Sequence, residues 1–298
     1  MSEIASSFSR LVRFNPNSNS SKICIGEPLD PEVDIGLAVL EGREIQVTLF
    51  SGTSILNPGT KTNKVETIAK ILSPLSQSEI GGGAVRCIGL NYVSHAREMS
   101  LDIPTVPTLF LKPSTSVADP FPTQPTVLPR ITQVDGTGDY ESEMAIVLGK
   151  EAKDVPAAEA LDYVLGYTAA NDISSRTSQM NQSQWCFSKG FDGSCPLGPA
   201  LVSASAVPDA TKLHIRGIKN GNVFQDCPLT DLIFGVGELV SFLSQGTTLP
   251  AGTVILTGTP PGVGAAKSPK EYLRGGDEFR VELSLGVGTL VSRFEDQV

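Results

Sequence analysis

The stretch that decides the fold is Asp139-Tyr140-Glu141-Ser142-Glu143, followed directly by the apolar run MAIVL at residues 144–148. Alternate residues of a β-strand point to the same face, so Glu141 and Glu143 are predicted to project side by side. The pattern has two interpretations at this point. The glutamates form the solvated face of an edge strand, or they lie near a core and need a divalent cation to offset repulsion and lost hydration.

Asp172 is the natural third ligand for such a cation. It follows another apolar run, at residues 163–170, and precedes the polar segment ISSRTSQ, where a strand is expected to open into a cleft. The chain has only two histidines and no C-x-x-C spacing, which disfavours a multi-histidine or thiolate site. Three carboxylates select a hard cation, so Mg²⁺, Mn²⁺ or Ca²⁺ is predicted.

Short apolar runs of strand length recur on both sides of this stretch and outnumber the helical patterns. Strands are predicted at residues 85–90, 109–112, 144–148, 163–170, 212–218, 253–256, 279–283 and 288–294. Helices are predicted at residues 94–99, 157–161 and 229–243. Because regular βαβ alternation is missing, the sequence predicts a mainly β, α+β fold with short helices rather than a doubly wound sheet.

The N-terminal quarter has a different character. Residues 1–80 are predicted to form a small β-rich domain, and residues 81–298 the larger second domain. The boundary is placed at Gly81-Gly82-Gly83, the strongest candidate hinge in the sequence. Within the small domain, residues 36–40 (GLAVL) and 43–50 (REIQVTLF) are predicted to be strands, and residues 64–72 a helix.

Composition narrows the class of protein. The 298 residues carry a formal net charge of −9, which disfavours broad nucleic-acid binding and adsorption to anionic membranes. Neither a membrane span nor a secretory signal core is visible, and the five cysteines suit a reduced, intracellular protein. We therefore expect a cytoplasmic protein, with a mitochondrial import segment at residues 7–13 as the alternative.

Six motifs in a fixed order turn these general features into a family resemblance. They are GLNYVSHAREM (89–99), LFLKPSTS (109–116), DYESEMAIVLGK (139–150), GYTAANDISSR (166–176), SKGFDGSCPLGP (188–199) and GTVILTGTPPGVG (252–264). Over residues 81–298 the chain resembles the fumarylacetoacetate hydrolase superfamily, in particular its acylpyruvate hydrolases and oxaloacetate decarboxylases. The resemblance implies a mixed β-roll, usually a homodimer, with Mg²⁺ or Mn²⁺ held by Glu141, Glu143 and Asp172.

The resemblance also implies roles for residues around the metal. Lys189 would offset the excess negative charge of the three carboxylates and stabilise an enolate oxygen. Arg176 would bind the substrate carboxylate, and Thr259 would hydrogen-bond to it. Lys112 is a second candidate cation for the substrate, with capping of a loop as its alternative role.

His95 and Glu98 are spaced to share one face of a short helix. In the family this pair lies on a lid, where Glu98 would activate a water molecule with His95 as its partner. The implied reaction is metal-dependent C–C cleavage of a small anionic 2-oxo acid, by acylpyruvate hydrolysis or oxaloacetate decarboxylation. A hydratase, isomerase or tautomerase on the same site is the first alternative, and a non-catalytic metal-stabilised binding protein is the second.

Two departures from the family pattern concern substrate preference. Ser175-Arg176-Thr177 stands where the family often has Ala-Arg-Asp, and Lys189-Gly190 where it often has Lys-Ser. The three acidic ligands and the His95–Glu98 pair are retained, so the chemistry is expected to be intact.

Overall fold

The computed structural model describes residues 8–298, and its secondary structure is dominated by short strands. These are β1 Arg10–Pro16, β2 Cys24–Pro28, β3 Gln46–Phe50, β4 Lys61–Leu72, β5 Ala84–Gly89, β6 Thr108–Pro113, β7 Val117–Ala118, β8 Thr126–Leu128, β9 Gly138–Asp139, β10 Ser142–Leu148, β11 Val164–Asn171, β12 Ser174–Ser175, β13 Cys195–Ser203, β14 His214–Lys219, β15 Asn222–Pro228, β16 Val254–Leu256, β17 Glu278–Leu283 and β18 Gly288–Asp296.

The helices are few and short. The α-helices are α1 Ile35–Leu40, α2 Val93–Glu98, α3 Arg130–Asp135, α4 Arg176–Met180, α5 Cys186–Lys189 and α6 Val236–Ser244. Turns of 3₁₀-helix occur at Gln77–Glu79, Gly81–Gly83, Ser114–Ser116, Ala157–Tyr163, Ala210–Lys212, Leu229–Asp231 and Gly264–Ala266. The predicted mainly β fold with short helices is therefore confirmed.

Most strands belong to one large sheet of eleven strands, in the order β2-β3-β4-β1-β13-β11-β10-β16-β5-β6, with β7 paired to β13. Strand β10 lies inside this sheet and is buried along its whole length, because β11 and β16 flank it on either side. A second sheet of five strands has the order β15-β14-β17-β18-β8. The interior strand β10 therefore positions the acidic motif, whose last two residues, Ser142 and Glu143, begin the strand.

The main apolar core packs around these sheets and reaches the acidic motif. Tyr140, which stands between Asp139 and Glu141, is fully buried and stacks on Phe279 of β17 at 4.4 Å between ring centroids. The same residue meets Phe224 of β15 edge to face. These contacts fix the chain immediately before β10 against the second sheet, which positions the first residues of the motif.

The sequence predictions failed mainly in the N-terminal region. Residues 64–72 are the second part of strand β4, not a helix, because β4 hydrogen-bonds to β1 on one side and β3 on the other. Residues 36–40 belong to helix α1, not to a strand. The overlooked signal is Asp34, whose side chain caps α1 by accepting a hydrogen bond from the Leu37 amide.

Further expectations concern the rest of the chain. The helix predicted at residues 229–243 is a 3₁₀ turn followed by α6, separated by the break at residues 232–235. The division of the chain at residue 80 stays a prediction. Strand β1 pairs with β4 on its own side of that boundary and with β13 on the other side. Ser7 of the alternative import segment lies outside the described residues, whereas Arg10–Arg13 are part of β1. Among residues 8–298, no helix has the length and apolarity needed to cross a membrane.

Candidate metal centre and active site

The three predicted ligands converge at one end of strands β10 and β11. Ser142 pairs with Asn171 in antiparallel register, so Glu141 and Glu143 on either side of Ser142 come next to Asp172. The Asp172 amide donates to the Glu141 carbonyl at 2.9 Å, which continues the ladder beyond the strand end. One oxygen from each carboxylate lies within 4.8 Å of the others, and all three side chains are buried.

Three cations surround this acidic cluster. Lys189 Nζ donates to Glu141 Oε2 and Asp172 Oδ2, both at 2.7 Å. Lys112 is completely buried, and its Nζ donates to Asp172 Oδ1 at 2.6 Å and to two backbone carbonyls. Arg176 forms an ion pair with Glu141 Oε1 at 2.7 Å. The predicted candidate cations therefore contact the predicted ligands directly.

A fourth carboxylate, Asp139, was missed by the sequence reasoning. It is fully buried and accepts hydrogen bonds from the backbone amides of Gly264 and Ala265 and from Arg176 Nε. The signal that could have revealed it is the alternation itself, because Asp139 is the first of three acidic residues at every second position. Its role in the structure is to hold Arg176 beside the cluster.

Glu143 is the carboxylate that the protein leaves uncompensated. It accepts a 2.6 Å hydrogen bond from the Gly258 amide but forms no ion pair with any residue in the range 8–298. Burial and the neighbouring charges of Asp172 and Glu141 raise the pKa of Glu143 well above its usual value. Four carboxylates against three cations leave one excess negative charge if all seven groups are ionised.

Glu141 shows the opposite behaviour. Burial alone would raise the pKa of its carboxyl group, but the charges of Lys189 and Arg176 outweigh this effect and lower the pKa to about 2. The cluster therefore fits a divalent cation by charge as well as by geometry. A bound cation would compensate Glu143 and meet only oxygen ligands, which Mg²⁺, Mn²⁺ and Ca²⁺ prefer.

Arg176 retains one nitrogen without a hydrogen-bond partner in this arrangement. Its Nε donates to Asp139, and its Nη1 contacts Gln179 and Glu141. The remaining nitrogen, Nη2, is buried and has no hydrogen-bond partner among the described residues. A buried, unpaired guanidinium nitrogen costs free energy unless a ligand satisfies it, so this atom marks where an anion fits.

His95 and Glu98 also come together, at the C-terminal end of α2. His95 Nδ1 lies 2.9 Å from Glu98 Oε2, and the Gly262 amide donates to both oxygens of Glu98. Burial would raise the pKa of Glu98, but the hydrogen bonds from His95 and Gly262 outweigh it and lower that pKa. Glu98 is therefore an ionised carboxylate at neutral pH, the state required of a general base.

The part of the chain that carries this site matches a known protein family. The family model described as fumarylacetoacetate (FAA) hydrolase C-terminal matches residues 84–295. The chain belongs to the fumarylacetoacetate hydrolase family. The match spans α2, the acidic cluster and the three cations, so every residue described above falls within the family domain.

Individual relatives indicate which branch of the family this chain resembles. A caffeoylpyruvate hydrolase from Neonothopanus nambi is 43% identical over 100% of this chain and 96% of its own length. The human mitochondrial oxaloacetate tautomerase FAHD2A is 39% identical over 93% of this chain and 90% of that protein. The crystal structure of 2-hydroxyhepta-2,4-diene-1,7-dioate isomerase from Mycobacterium marinum superposes with a TM-score of 0.76, at 30% identity, covering 97% of this chain and 99% of that chain. The predicted resemblance to the acylpyruvate hydrolase and oxaloacetate-converting branch is confirmed.

One loop of this family member, at residues 257–264, connects the acidic cluster with the helix-borne pair. Its amides at Gly258, Gly262 and Gly264 donate to Glu143, Glu98 and Asp139, respectively. Gly258 has a φ of +91°, and a Cβ there would lie 2.9 Å from Cβ of Asn91. Glycine is therefore required at this position for both conformation and space.

Thr259 lies on the same loop, but its hydroxyl is already bonded within the protein. It donates to the Ser142 carbonyl at 3.1 Å and accepts from Gln225 Nε2 at 2.8 Å. Its predicted contact with the substrate stays a prediction. In this structure Thr259 ties the loop to the start of β10.

Gln225 of β15 is a second residue that the sequence reasoning missed. It is fully buried, donates from Nε2 to Thr259 and to the Pro260 carbonyl, and accepts from the Ser142 amide at Oε1. It thereby clamps the loop against the strand that carries the ligands. No local pattern around Gln225 predicts this, because its partners are more than thirty residues away along the chain.

Replacing Gln225 with leucine is expected to lower the free energy of unfolding by about 2–5 kcal/mol, because it leaves the buried Ser142 amide and Pro260 carbonyl without partners. Chemical denaturation of the purified variant measures this loss. The matched control is Gln245→Leu, at an exposed position, which should stay within about 0.5 kcal/mol of the parent protein. A Gln225→Leu protein as stable as the control would contradict the clamp.

Proposed function

We propose that this protein is a divalent-metal-dependent acylpyruvate hydrolase that cleaves the bond between C3 and C4 of its substrate. The observation that carries the proposal is the buried cluster of Glu141, Glu143 and Asp172, with Glu143 uncompensated and Arg176 Nη2 unpaired beside it. An anionic oxygen-rich ligand and a cation would together satisfy both groups. The 43% identity with a caffeoylpyruvate hydrolase supports this choice of reaction.

Glu141, Glu143 and Asp172 would hold the cation, Mg²⁺ or Mn²⁺, with Ca²⁺ as a substitute. When bound, the cation would supply Lewis-acid stabilisation of negative charge on the substrate oxygens. The charge balance favours this arrangement, because a divalent ion converts the excess of one negative charge into an excess of one positive charge. A 2-oxo acid anion is then attracted rather than repelled.

The chain's own residues divide the remaining work. Arg176 Nη2 binds the substrate carboxylate, and Lys189 faces the C2 oxygen, where negative charge develops. Glu98 removes a proton from a water molecule, and the resulting hydroxide attacks C4. His95 holds the Glu98 carboxylate in place and stabilises its negative charge. The C3–C4 bond then breaks, its electron pair forms the enolate of pyruvate, and a proton returned to C3 completes pyruvate and the released carboxylic acid.

Removal of divalent metal tests the proposal directly. Protein treated exhaustively with chelator is expected to release no pyruvate from acetylpyruvate, and added Mg²⁺ or Mn²⁺ should restore release. Pyruvate is followed through coupled reduction by lactate dehydrogenase, and metal binding through calorimetry on the same sample. Full activity after stripping, with calorimetry confirming that the site binds no ion, would refute the proposal.

The alternative is an activity on oxaloacetate, either decarboxylation or keto–enol tautomerisation. The 39% identity with a human oxaloacetate tautomerase favours it, and the same cations would stabilise the enolate. Neither reaction needs a water nucleophile, so the two candidates differ in what they require of Glu98. A non-catalytic binding protein is the weakest candidate, because the His95–Glu98 pair is assembled in the structure.

Assembly and compartment belong to the proposal as well. We propose a homodimer, supported by the edge strand β6, on which Leu109 and Leu111 are 45% and 39% exposed. Apolar side chains along a sheet edge favour association with a second surface. The proposed compartment is the cytoplasm, with the mitochondrion as the alternative.

A further inference from the structure

An aromatic pair stands next to the charged cluster and has no role in the chemistry above. The ring of Phe110 lies 4.9 Å from Lys189 Nζ on one side and meets the indole of Trp185 edge to face, at 5.5 Å between centroids, on another. Trp185 and Lys189 belong to the same helical turn, because the Lys189 amide donates to the Trp185 carbonyl at 3.1 Å. Phe110 therefore joins the indole to the cationic end of the site.

Trp185 also lies close to the chain that leads into helix α2. A Cβ on Gly89, the last residue of β5, would lie 2.5 Å from a ring carbon of Trp185. The chain then runs through Asn91, which donates to the Thr257 carbonyl, into helix α2 with His95 and Glu98. The indole thus lies between the root of this helix and the turn that carries Lys189.

The exposure of Trp185 separates it from the aromatic side chains of the core. Tyr92, Tyr140, Tyr167 and Phe279 are fully buried, whereas Trp185 is half-buried. Its indole N–H donates to no residue in the part of the chain that the structure describes. A half-exposed indole with a free donor offers an apolar face and one polar contact to a planar ligand group.

We propose that Trp185, backed by the buried ring of Phe110, forms the subsite for the acyl tail of the substrate, and that this subsite selects acylpyruvates with an aromatic tail. The inference rests on the proposed function, because it assumes that the carboxylate and C2 oxygen occupy the charged cluster. The acyl tail is attached at C4 and extends away from those charges. Phe110 is buried, at 7% exposure, and lies between Lys189 and the indole, so the half-buried ring of Trp185 is the apolar surface that the pair offers, and an aromatic tail would stack on it.

Kinetics on two substrates test the subsite. Trp185→Leu is expected to lower kcat/KM for benzoylpyruvate about tenfold, while kcat/KM for acetylpyruvate changes less than twofold. The matched control is Phe187→Leu on the same helix, where the ring contacts Phe191 and is 53% exposed; it should leave both substrates unchanged. Retained acetylpyruvate hydrolysis shows that the Trp185 variant is folded. Equal losses on both substrates, or none on benzoylpyruvate, would overturn the proposal.

Binding separates failure of the subsite from failure of the proposed function. Trp185 is the only tryptophan in the chain, so its fluorescence reports on the subsite without turnover. In the presence of Mg²⁺, 2-oxo-4-phenylbutanoate should quench this fluorescence, whereas 2-oxopentanoate at the same concentration should not. Selective quenching in a protein that hydrolyses no acylpyruvate would support the subsite and refute the hydrolase. Equal responses to both acids would refute the subsite, whatever the hydrolytic activity.

Discussion

Glu143→Gln and Asp172→Asn are each expected to lower metal-dependent turnover by at least about 10²–10³-fold. The two changes are nevertheless expected to shift the stability of the metal-free protein in opposite directions. Both changes remove one ligand from the cluster. They differ in what each carboxylate does when no cation is bound. Asp172 neutralises two buried lysines, whereas Glu143 is itself the uncompensated charge.

The expected sizes follow from that difference. Asp172→Asn removes the negative charge that Lys112 and Lys189 share. This change should lower the free energy of unfolding by about 3–5 kcal/mol. Glutamine at position 143 still accepts the hydrogen bond from the Gly258 amide and removes an unpaired buried charge. It should therefore stabilise the metal-free protein by about 1–3 kcal/mol. Denaturation with chelator present measures both, and destabilisation of similar size in the two variants would contradict the charge assignment.

The gain from Glu143→Gln should depend on pH with a defined sign. The pKa of Glu143 is raised in the folded protein above its ordinary value of 4.5, so ionisation of this group increasingly penalises the folded state as the pH rises above that value. With chelator present, the stability difference between variant and parent is expected to be small near pH 5 and to widen toward pH 8. Glu141 acts in the opposite sense and at lower pH, because its contribution is lost as the pH falls from 4.5 toward about 2.

Glu98→Gln is expected to reduce acylpyruvate hydrolysis by about 10²–10⁴-fold while changing keto–enol tautomerisation of oxaloacetate much less. Glutamine can still accept from the Gly262 amide through its one carbonyl oxygen, but it cannot take a proton from water. Hydrolysis requires that proton transfer, whereas tautomerisation needs no water nucleophile. Pyruvate release from acetylpyruvate and the absorbance of the oxaloacetate enol measure the two activities on the same sample.

The chain offers a matched control for this experiment. His214 and Asp226 form the only other contact between a histidine and a carboxylate among residues 8–298, and both side chains are about half-exposed on the second sheet. Asp226→Asn should leave both activities unchanged. If Glu98→Gln reduced both activities by the same factor, Glu98 would serve the shared enolate chemistry rather than the activation of water.

The parts of the site that sequence could predict are those with local signals. Alternation of acidic residues before an apolar run predicted that Glu141 and Glu143 share a face, and the end of the next strand supplied Asp172. The spacing of His95 and Glu98 predicted their contact on a helix. Each of these arrangements follows from the period of one element, which is visible in the sequence itself.

The parts that sequence could not predict depend on contacts between distant segments. Gln225 joins a loop and a strand that are far from it along the chain, and Asp139 becomes an anchor for Arg176 only because residues 264–265 fold onto it. Strand β4 was mistaken for a helix for the same reason. Its conformation is set by pairing with β1 and β3, which outweighs the weak local preference of its residues.

Strand β1 has a consequence for the handling of this protein. It lies between β4 and β13, and Leu11 near its start, which pairs with Leu201 of β13, is fully buried. Without it, β13 would present unpaired amide and carbonyl groups at Leu201 and Val202, together with the apolar residues that surround them. Unpaired sheet edges of this kind are templates for aggregation. Truncation of the chain before β2 is therefore expected to make the protein aggregate.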